Sequence, residues 1–489
     1  MGHLRSTRWF HNDRDGRVHL LWIVALGAAL RLAFLGNEAL WRDEAFSALT
    51  ARQPVGSMLN VVSHDSAPPL AYLIQHYVLS VWDSTASLRI TSAVAGIVAI
   101  FLAAALGRRV AGPRGALWSA LAMAILPSAV IASRDARMYS LATTLALTSA
   151  LTLWRLAEKA TVARWLVFTL ACVACVYTDY FTAFAIAGEL VAALLWLRPS
   201  LRTSIGMFVA AGIGAISLTP WLLYAHAQFA HTATAFWVKP LGPQTLGGVV
   251  MQFFTGPPAD DGVPFKVALW GFQAIVVITG LVAIVFLWLR RGDLDPHTKT
   301  GVRFLATCTG TSLALLIAIS LWRPLLDARY VSPMWGPMIC LVGIGASLVD
   351  VRLVRRAGVY ALLGCSVILA LAFRNPNTPA VLGDIGTLGP HDMIQASDSS
   401  YLPIQYYGGS NVKQQTHIIA GSVPWYWGTA VYPSNALVPT VPADVTANHG
   451  TIYYIDDPGF ADQNVPAGYH QTDGPDCAST VCVTTYRPS

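Results

Sequence analysis

Long apolar blocks separated by short polar segments recur along this chain from residue 18 to residue 373. A helix needs about 20 apolar residues to cross a hydrocarbon core about 30 Å thick, so blocks of this length predict membrane spans. They fall at 18–34, 90–106, 116–132, 138–153, 204–224, 267–289, 304–322, 331–348 and 359–373. The stretch 165–197, interrupted by Tyr177-Thr178-Asp179-Tyr180, is expected to hold two short spans that meet at the break. The total is about eleven. The loop from 36 to 89 is not featureless. Residues 44–59 and 70–82 mix apolar and polar positions at helical spacing, which predicts amphipathic helices lying on the membrane, with Pro68-Pro69 forcing a turn between them.

From residue 374 the pattern changes. Pro, Gly, Asn, Asp and Ser become frequent, the apolar runs shorten, and 451–455 and 481–486 read as strands. The expected organisation is a polytopic α-helical membrane domain over 1–373 and a small α/β or mostly β domain over 374–489.

Composition agrees with the pattern. Hydrophobic residues make up 54% of the 489 and charged residues 12%, about half the roughly 25% of a soluble protein. The net charge of +6 does not imply a nucleic-acid partner, because the basic residues mark loops. Arg5 to Arg17 precede the first span, and Arg108-Arg109, Arg155 to Arg164, Arg198 to Arg202, Arg290-Arg291 and Arg352 to Arg356 follow every second span, a positive-inside alternation. It predicts a cytoplasmic N-terminus and an extracytoplasmic C-terminus, in a multi-pass protein of the cell membrane. The first apolar block is long and lacks a small-residue cleavage site, so it is expected to remain as a span. Five cysteines lie within apolar blocks and read as small buried hydrophobes. Cys477 and Cys482, in the polar tail, would pair if that tail is outside the cytoplasm.

This topology collects Asp43, Glu44, His64, Asp65, Arg134, Asp135, Arg137, Asp179, Arg323 and Arg329 at the outer surface. Arginines placed against the positive-inside bias need another reason to be there, and a guanidinium fork matches phosphate oxygens. Paired carboxylates facing them suit transfer from a phosphate-linked, membrane-held donor. An ion-pair network that staples loops together is the plainer reading of the same residues.

The block Trp41-Arg42-Asp43-Glu44-Ala45-Phe46-Ser47, the segment Asp135-Ala136-Arg137-Met138-Tyr139 and the late Arg329-Tyr330 together resemble the GT-C glycosyltransferases. The resemblance is to the bacterial branch of the protein O-mannosyltransferase and aminoarabinose-transferase group, over about the first 370 residues. It implies an inverting enzyme that uses a polyprenyl-phosphate sugar (mannose ahead of arabinose) and a lipid-linked, polysaccharide or protein acceptor. Asp43 would be the catalytic base with Glu44 in support, and Arg137, Tyr139, Arg329 and Tyr330 would contact the donor. Asp65 and His64 are candidates for substrate contact, but Ala67 stands where the family often has a histidine before Pro68-Pro69, so that residue's contacts do not carry over. No metal ligand set is assigned; a divalent metal is compatible and not required. Asp179 is expected to cap the following helix. A transporter or lipid flippase is the rival class, and it would place charges at mid-membrane on broken helices. A relative that has lost activity and only scaffolds the tail is a third reading.

Overall fold

In the computed structural model, residues 13–226, 228, 237–256, 266–349, 352–372, 377–456, 467–478 and 481–489 are described. The start of the basic segment from Arg5, residues 227, 229–236 and 257–264 of the 225–264 loop, and the expected domain division at 373/374 lie outside these residues.

The helices of the first part are α1 (Asp13–Leu32), α2 (Arg42–Ala51), α3 (Val55–Val62), α4 (Leu70–Val81), α5 (Thr85–Ile125), α6 (Pro127–Arg134), α7 (Tyr139–Glu158), α8 (Val162–Thr178) and α9 (Thr182–Ala192). They continue as α10 (Leu201–Ser217), α11 (Thr219–Tyr224), α12 (Pro243–Thr255), α13 (Lys266–Leu289), α14 (Pro296–Ser320), α15 (Ala328–Val331), α16 (Trp335–Leu348) and α17 (Arg352–Ala372). Five helical segments among the described residues are long and apolar enough to cross a bilayer unaided: Thr85–Ile125, Leu201–Tyr224, Gln273–Gly292, Pro296–Ser320 and Ala328–Leu348. The remaining expected spans correspond to helices that are shorter or less apolar. Lipid-facing character is visible on α10, where Leu201, Ile205, Phe208, Ile213 and Ile216 stay exposed along the helix. The chain is a multi-pass helical membrane protein.

Local sequence explains the breaks. Ser84 and Ser87 form a reciprocal capping box that starts α5. Within α5 the helical path fails at Ala111 and at Gly112, whose φ of +65° lies in the left-handed region, and Pro113 restarts it. The two arms turn back so closely that a Cβ on Gly107 would lie 2.6 Å from the Gly115 carbonyl oxygen. This reversal falls between the expected spans at 90–106 and 116–132. The loop helix expected at 44–59 is instead two helices, because Pro54 has no N–H to continue the ladder and caps α3.

The C-terminal part holds a six-stranded sheet with α18 (Thr378–Ile385), α19 (Asp398–Tyr407), α20 (Ser410–Gln415) and α21 (Ala443–Ala447). Its strands are β1 (Met393–Ala396), β2 (Thr416–Ile419), β3 (Leu437–Val438), β4 (Ile452–Asp456), β5 (Tyr469–Ala478) and β6 (Val481–Pro488), in the order β3-β2-β1-β4-β6-β5. β1 runs parallel to β2 and β4, while β6 is antiparallel to β4 and β5. The sheet is α/β in type because its parallel strands β1, β2 and β4 alternate along the chain with α19, α20 and α21. Successive strand residues point to opposite sides, so Ile394 and Ile455 join the main core while Met393, Ile452 and Tyr454 join a separate cluster. Cys477 and Cys482 are disulfide-bonded across the β5–β6 pair.

The main core continues from the helical bundle into this part, since Phe46, Tyr72, Leu147, Ile394, Tyr401 and Leu402 belong to one cluster. α19 packs on α2. Tyr407 Oη accepts the Leu40 N–H at 2.9 Å, and Arg52 lies over the Tyr406 ring at 4.3 Å.

Candidate active site

The loop helices, the α6–α7 turn and the start of α15 converge at one end of the bundle. At their centre is Asp43, whose side chain is 19% exposed. It sits in the first turn of α2, where a carboxylate also opposes the helix dipole. Its Oδ1 accepts from Arg42 Nε at 3.3 Å and its Oδ2 from Arg329 Nη1 at 3.3 Å. Buried Arg137 reaches the same place: its Nη1 donates to Ser47 Oγ and Tyr72 Oη, each at 3.2 Å, and approaches the Asp43 carbonyl at 3.5 Å. The Arg137 Nε is buried with no hydrogen-bond partner among the described residues. Burial works to raise the Asp43 pKa, but the guanidiniums of Arg42, Arg137 and Arg329 outweigh it and hold the group below its ordinary value.

Two more carboxylates border the site. Tyr72 Oη donates to Asp65 Oδ2 at 3.2 Å, and burial raises Asp65. Trp41 Nε1 donates to Asp135 Oδ1 at 3.2 Å; burial, with the Glu44 charge adding to it, pushes Asp135 up to about 7. The indole of Trp41 and that of Trp237 flank the Arg329 guanidinium at 5.1 and 5.3 Å. Tyr330 stacks on Phe181 with centroids 4.3 Å apart, and the buried Tyr139 opens α7 beside Arg137.

Glu44 is placed differently from its expected part beside Asp43. It is 1% exposed and grips Arg89, itself 2% exposed, through Nε–Oε1 at 2.7 Å and Nη2–Oε2 at 2.6 Å. Glu44 Oε1 also accepts the Ala136 N–H at 2.8 Å, and Arg89 donates onward to the carbonyls of Leu35, Glu38 and Ala39. Helix geometry explains the split: adjacent helical residues point about 100° apart and so face different neighbours. Asp43 therefore looks out to the arginines while Glu44 staples loop 35–39, α5 and the segment carrying Arg137.

Other expected site residues also have defined surroundings. His64 is exposed at the end of α3, with Nδ1 2.9 Å from the Asn60 carbonyl oxygen. The Arg329 side chain pairs with Asp43, not with Asp327, whose Oδ1 caps α15 through the Arg329 N–H at 2.9 Å. Asp179 caps the turn into α9 by accepting the Phe181 N–H at 2.8 Å, and burial pushes it up to about 7. Among the described residues no group of three or more His, Cys, Asp or Glu side chains is arranged to hold a metal ion. Sequence reasoning missed Ser47, Trp237 and Asp398. Asp398, 8% exposed in the first turn of α19, accepts from Arg42 Nη1 at 3.0 Å, so Arg42 bridges it to Asp43. No local motif signals a contact over 356 positions of chain.

A helical membrane bundle with an acid–arginine cluster at one end, its core continuous with an α/β sheet, is the fold this chain shares with solved structures of ArnT. Residues 66–224 match the family model described as dolichyl-phosphate-mannose-protein mannosyltransferase, a segment that holds Tyr72, Asp135, Arg137 and Tyr139. The whole chain is similar to ArnT from Cupriavidus metallidurans bound to undecaprenyl phosphate, with 13% identity, 95% of this chain and 97% of that chain covered, and a TM-score of 0.55. The apo form of the same protein gives 12% identity, 97% and 98% coverage and a TM-score of 0.57. No curated protein matches the chain in sequence.

Proposed function

We propose that this chain is an inverting glycosyltransferase. It moves a monosaccharide, mannose ahead of arabinose, from a polyprenyl-phosphate donor to a cell-envelope glycolipid, polysaccharide or protein on the extracytoplasmic face. The observation that carries this reading is the single carboxylate of Asp43 held among Arg42, Arg137 and Arg329 at a membrane-bundle end. Asp43 takes the proton of an acceptor hydroxyl as that oxygen bonds to the anomeric carbon. The bond from that carbon to the phosphate oxygen breaks, and polyprenyl phosphate leaves. Arg329 and Arg137 face the charge that develops on the leaving phosphate. The undecaprenyl phosphate bound by the similar ArnT supports the donor class.

Arg329 has a double use in this scheme. Without donor it neutralises Asp43; a donor phosphate competes for it and so releases Asp43 to become more basic. Arg329→Ala is therefore expected to lower kcat by about 10²-fold or more, the scale of removing one oxyanion donor, with Arg329→Lys recovering part of the loss. Single-turnover release of undecaprenyl phosphate measures it; an unchanged rate removes Arg329 from the phosphate site.

The pH profile separates two candidate bases. Asp43 lies below its ordinary value, so its base form persists at neutral and mildly acidic pH and kcat/KM should stay level through that range. Asp135, at about 7, would instead make activity climb through neutrality. A profile rising through pH 7 that Asp135→Asn abolishes would move the base to Asp135.

The rival class of transporter or flippase gains one observation. Glu189 is buried inside the bundle, accepting from Ser149 Oγ at 2.5 Å. It stands apart from the cluster around Asp43. The proposed reading therefore rests on the bundle-end site.

A further inference from the structure

We infer that the acceptor is a neutral glycan, seated in a cleft between α3 and a short turn of the C-terminal part; this rests on the transferase reading above. The cleft is about 360 Å³ and is lined by Asn60, Val61, His64, Trp425, Thr429 and Ala430, within the span of small-ligand sites. One wall comes from the first loop and the other from the C-terminal part.

Two contacts set the cleft beside the proposed chemistry. Its floor ends at His64, next to Asp65, whose carboxylate is joined through Tyr72 Oη to Arg137. Its roof is the turn Trp425–Val431, which seats on α2 one helical turn beyond Asp43. There Gly428 holds φ +82°, and a Cβ would lie 2.9 Å from both the Phe46 ring and Leu402. Only glycine satisfies both the left-handed backbone and that approach.

The lining defines the chemical class. It offers an indole, a carboxamide, an imidazole and a hydroxyl, together with Val61 and Ala430, and no acid, lysine or arginine. A phosphate or a charged peptide would meet no counter-charge there. A sugar presents C–H faces that pack on an indole and hydroxyls that pair with amide, imidazole and hydroxyl groups. The roof is pre-set: Gly428 N–H donates to the Trp425 carbonyl at 3.3 Å, Trp427 N–H to Pro424 at 3.1 Å, and Thr429 Oγ1 to Trp425 at 3.4 Å. The floor is pre-set too, with the His64 ring held by the Asn60 carbonyl at 2.9 Å and Ser63 Oγ at 3.1 Å. Little ordering is left to be done on binding.

The test uses the full chain in nanodiscs and saturation-transfer NMR with three probes: a linear mannohexaose, a linear arabinohexaose and a neutral Ser/Thr-rich peptide. One of the two glycans should bind. Trp425→Ala should weaken it about tenfold, Trp425→Phe much less, and exposed Asn60→Ala about threefold. Failure of both glycans to bind, binding indifferent to Trp425→Ala and Asn60→Ala alike, or Trp425-dependent binding of the peptide alone would overturn the inference. Undecaprenyl-phosphate mannose and undecaprenyl-phosphate arabinose turnover is followed in parallel. Trp425-dependent glycan binding with neither donor consumed would support the cleft as a glycan site and count against the transferase reading alone.

Discussion

Replacement of Asp43 by Asn is expected to remove nearly all sugar transfer while leaving the fold intact. Asparagine keeps the shape of the side chain and its place in the first turn of α2, but it cannot accept the acceptor proton. Loss of a positioned general base costs about 10² to 10⁴ in rate. The fold should survive because Asp43 is partly exposed and its arginine partners have other contacts: Arg42 keeps Asp398, and Arg329 keeps the flanking indoles of Trp41 and Trp237. The measurement is release of undecaprenyl phosphate from a labelled sugar donor by purified protein, alongside a melting curve. Wild-type turnover by the Asn variant would sink the assignment, and the pH profile would then point to Asp135.

Glu44→Ala should act on stability first. It leaves the Arg89 guanidinium buried without its carboxylate and takes the acceptor from the Ala136 N–H. Breaking a buried pair on one side costs about 3–5 kcal/mol, a large part of the roughly 5–15 kcal/mol that holds a domain folded. The expected result is a much lower Tm or loss of folded protein in detergent. The double change Glu44→Leu with Arg89→Met should recover more stability than Glu44→Ala alone, because it buries no unpaired charge. A Glu44→Ala protein that melts like wild type yet is inactive would return Glu44 to the chemistry.

These two neighbours show how far the chain could be read without coordinates. Nothing in Asp43-Glu44 distinguishes them, yet one faces three arginines and the other is sealed against Arg89. The distinction depends on which helix face meets α5, and that is decided by partners 45 and 286 positions away. The same holds for Arg329. Asp327 is the carboxylate nearest to it in the chain, two residues off, but that group is spent on the helix cap and the guanidinium pairs with Asp43. Asp398 carried no signal at all.

What the sequence by itself determined is the membrane class, the change to a strand-bearing C-terminal part, the basic break between the spans at 90–106 and 116–132, the turn at Pro68-Pro69, and the gathering of acids with arginines at one end. Each follows from local physics: apolar length against bilayer thickness, a missing N–H at proline, and the alternation of basic loops. Tertiary structure decided which acid faces the arginines, which one staples the loops, and that the turn at Trp425 closes a cleft over α3. Those outcomes depend on side-chain direction and on contacts across hundreds of residues, where one helical position reverses a role. Hydrophobic periodicity carries no information on that scale.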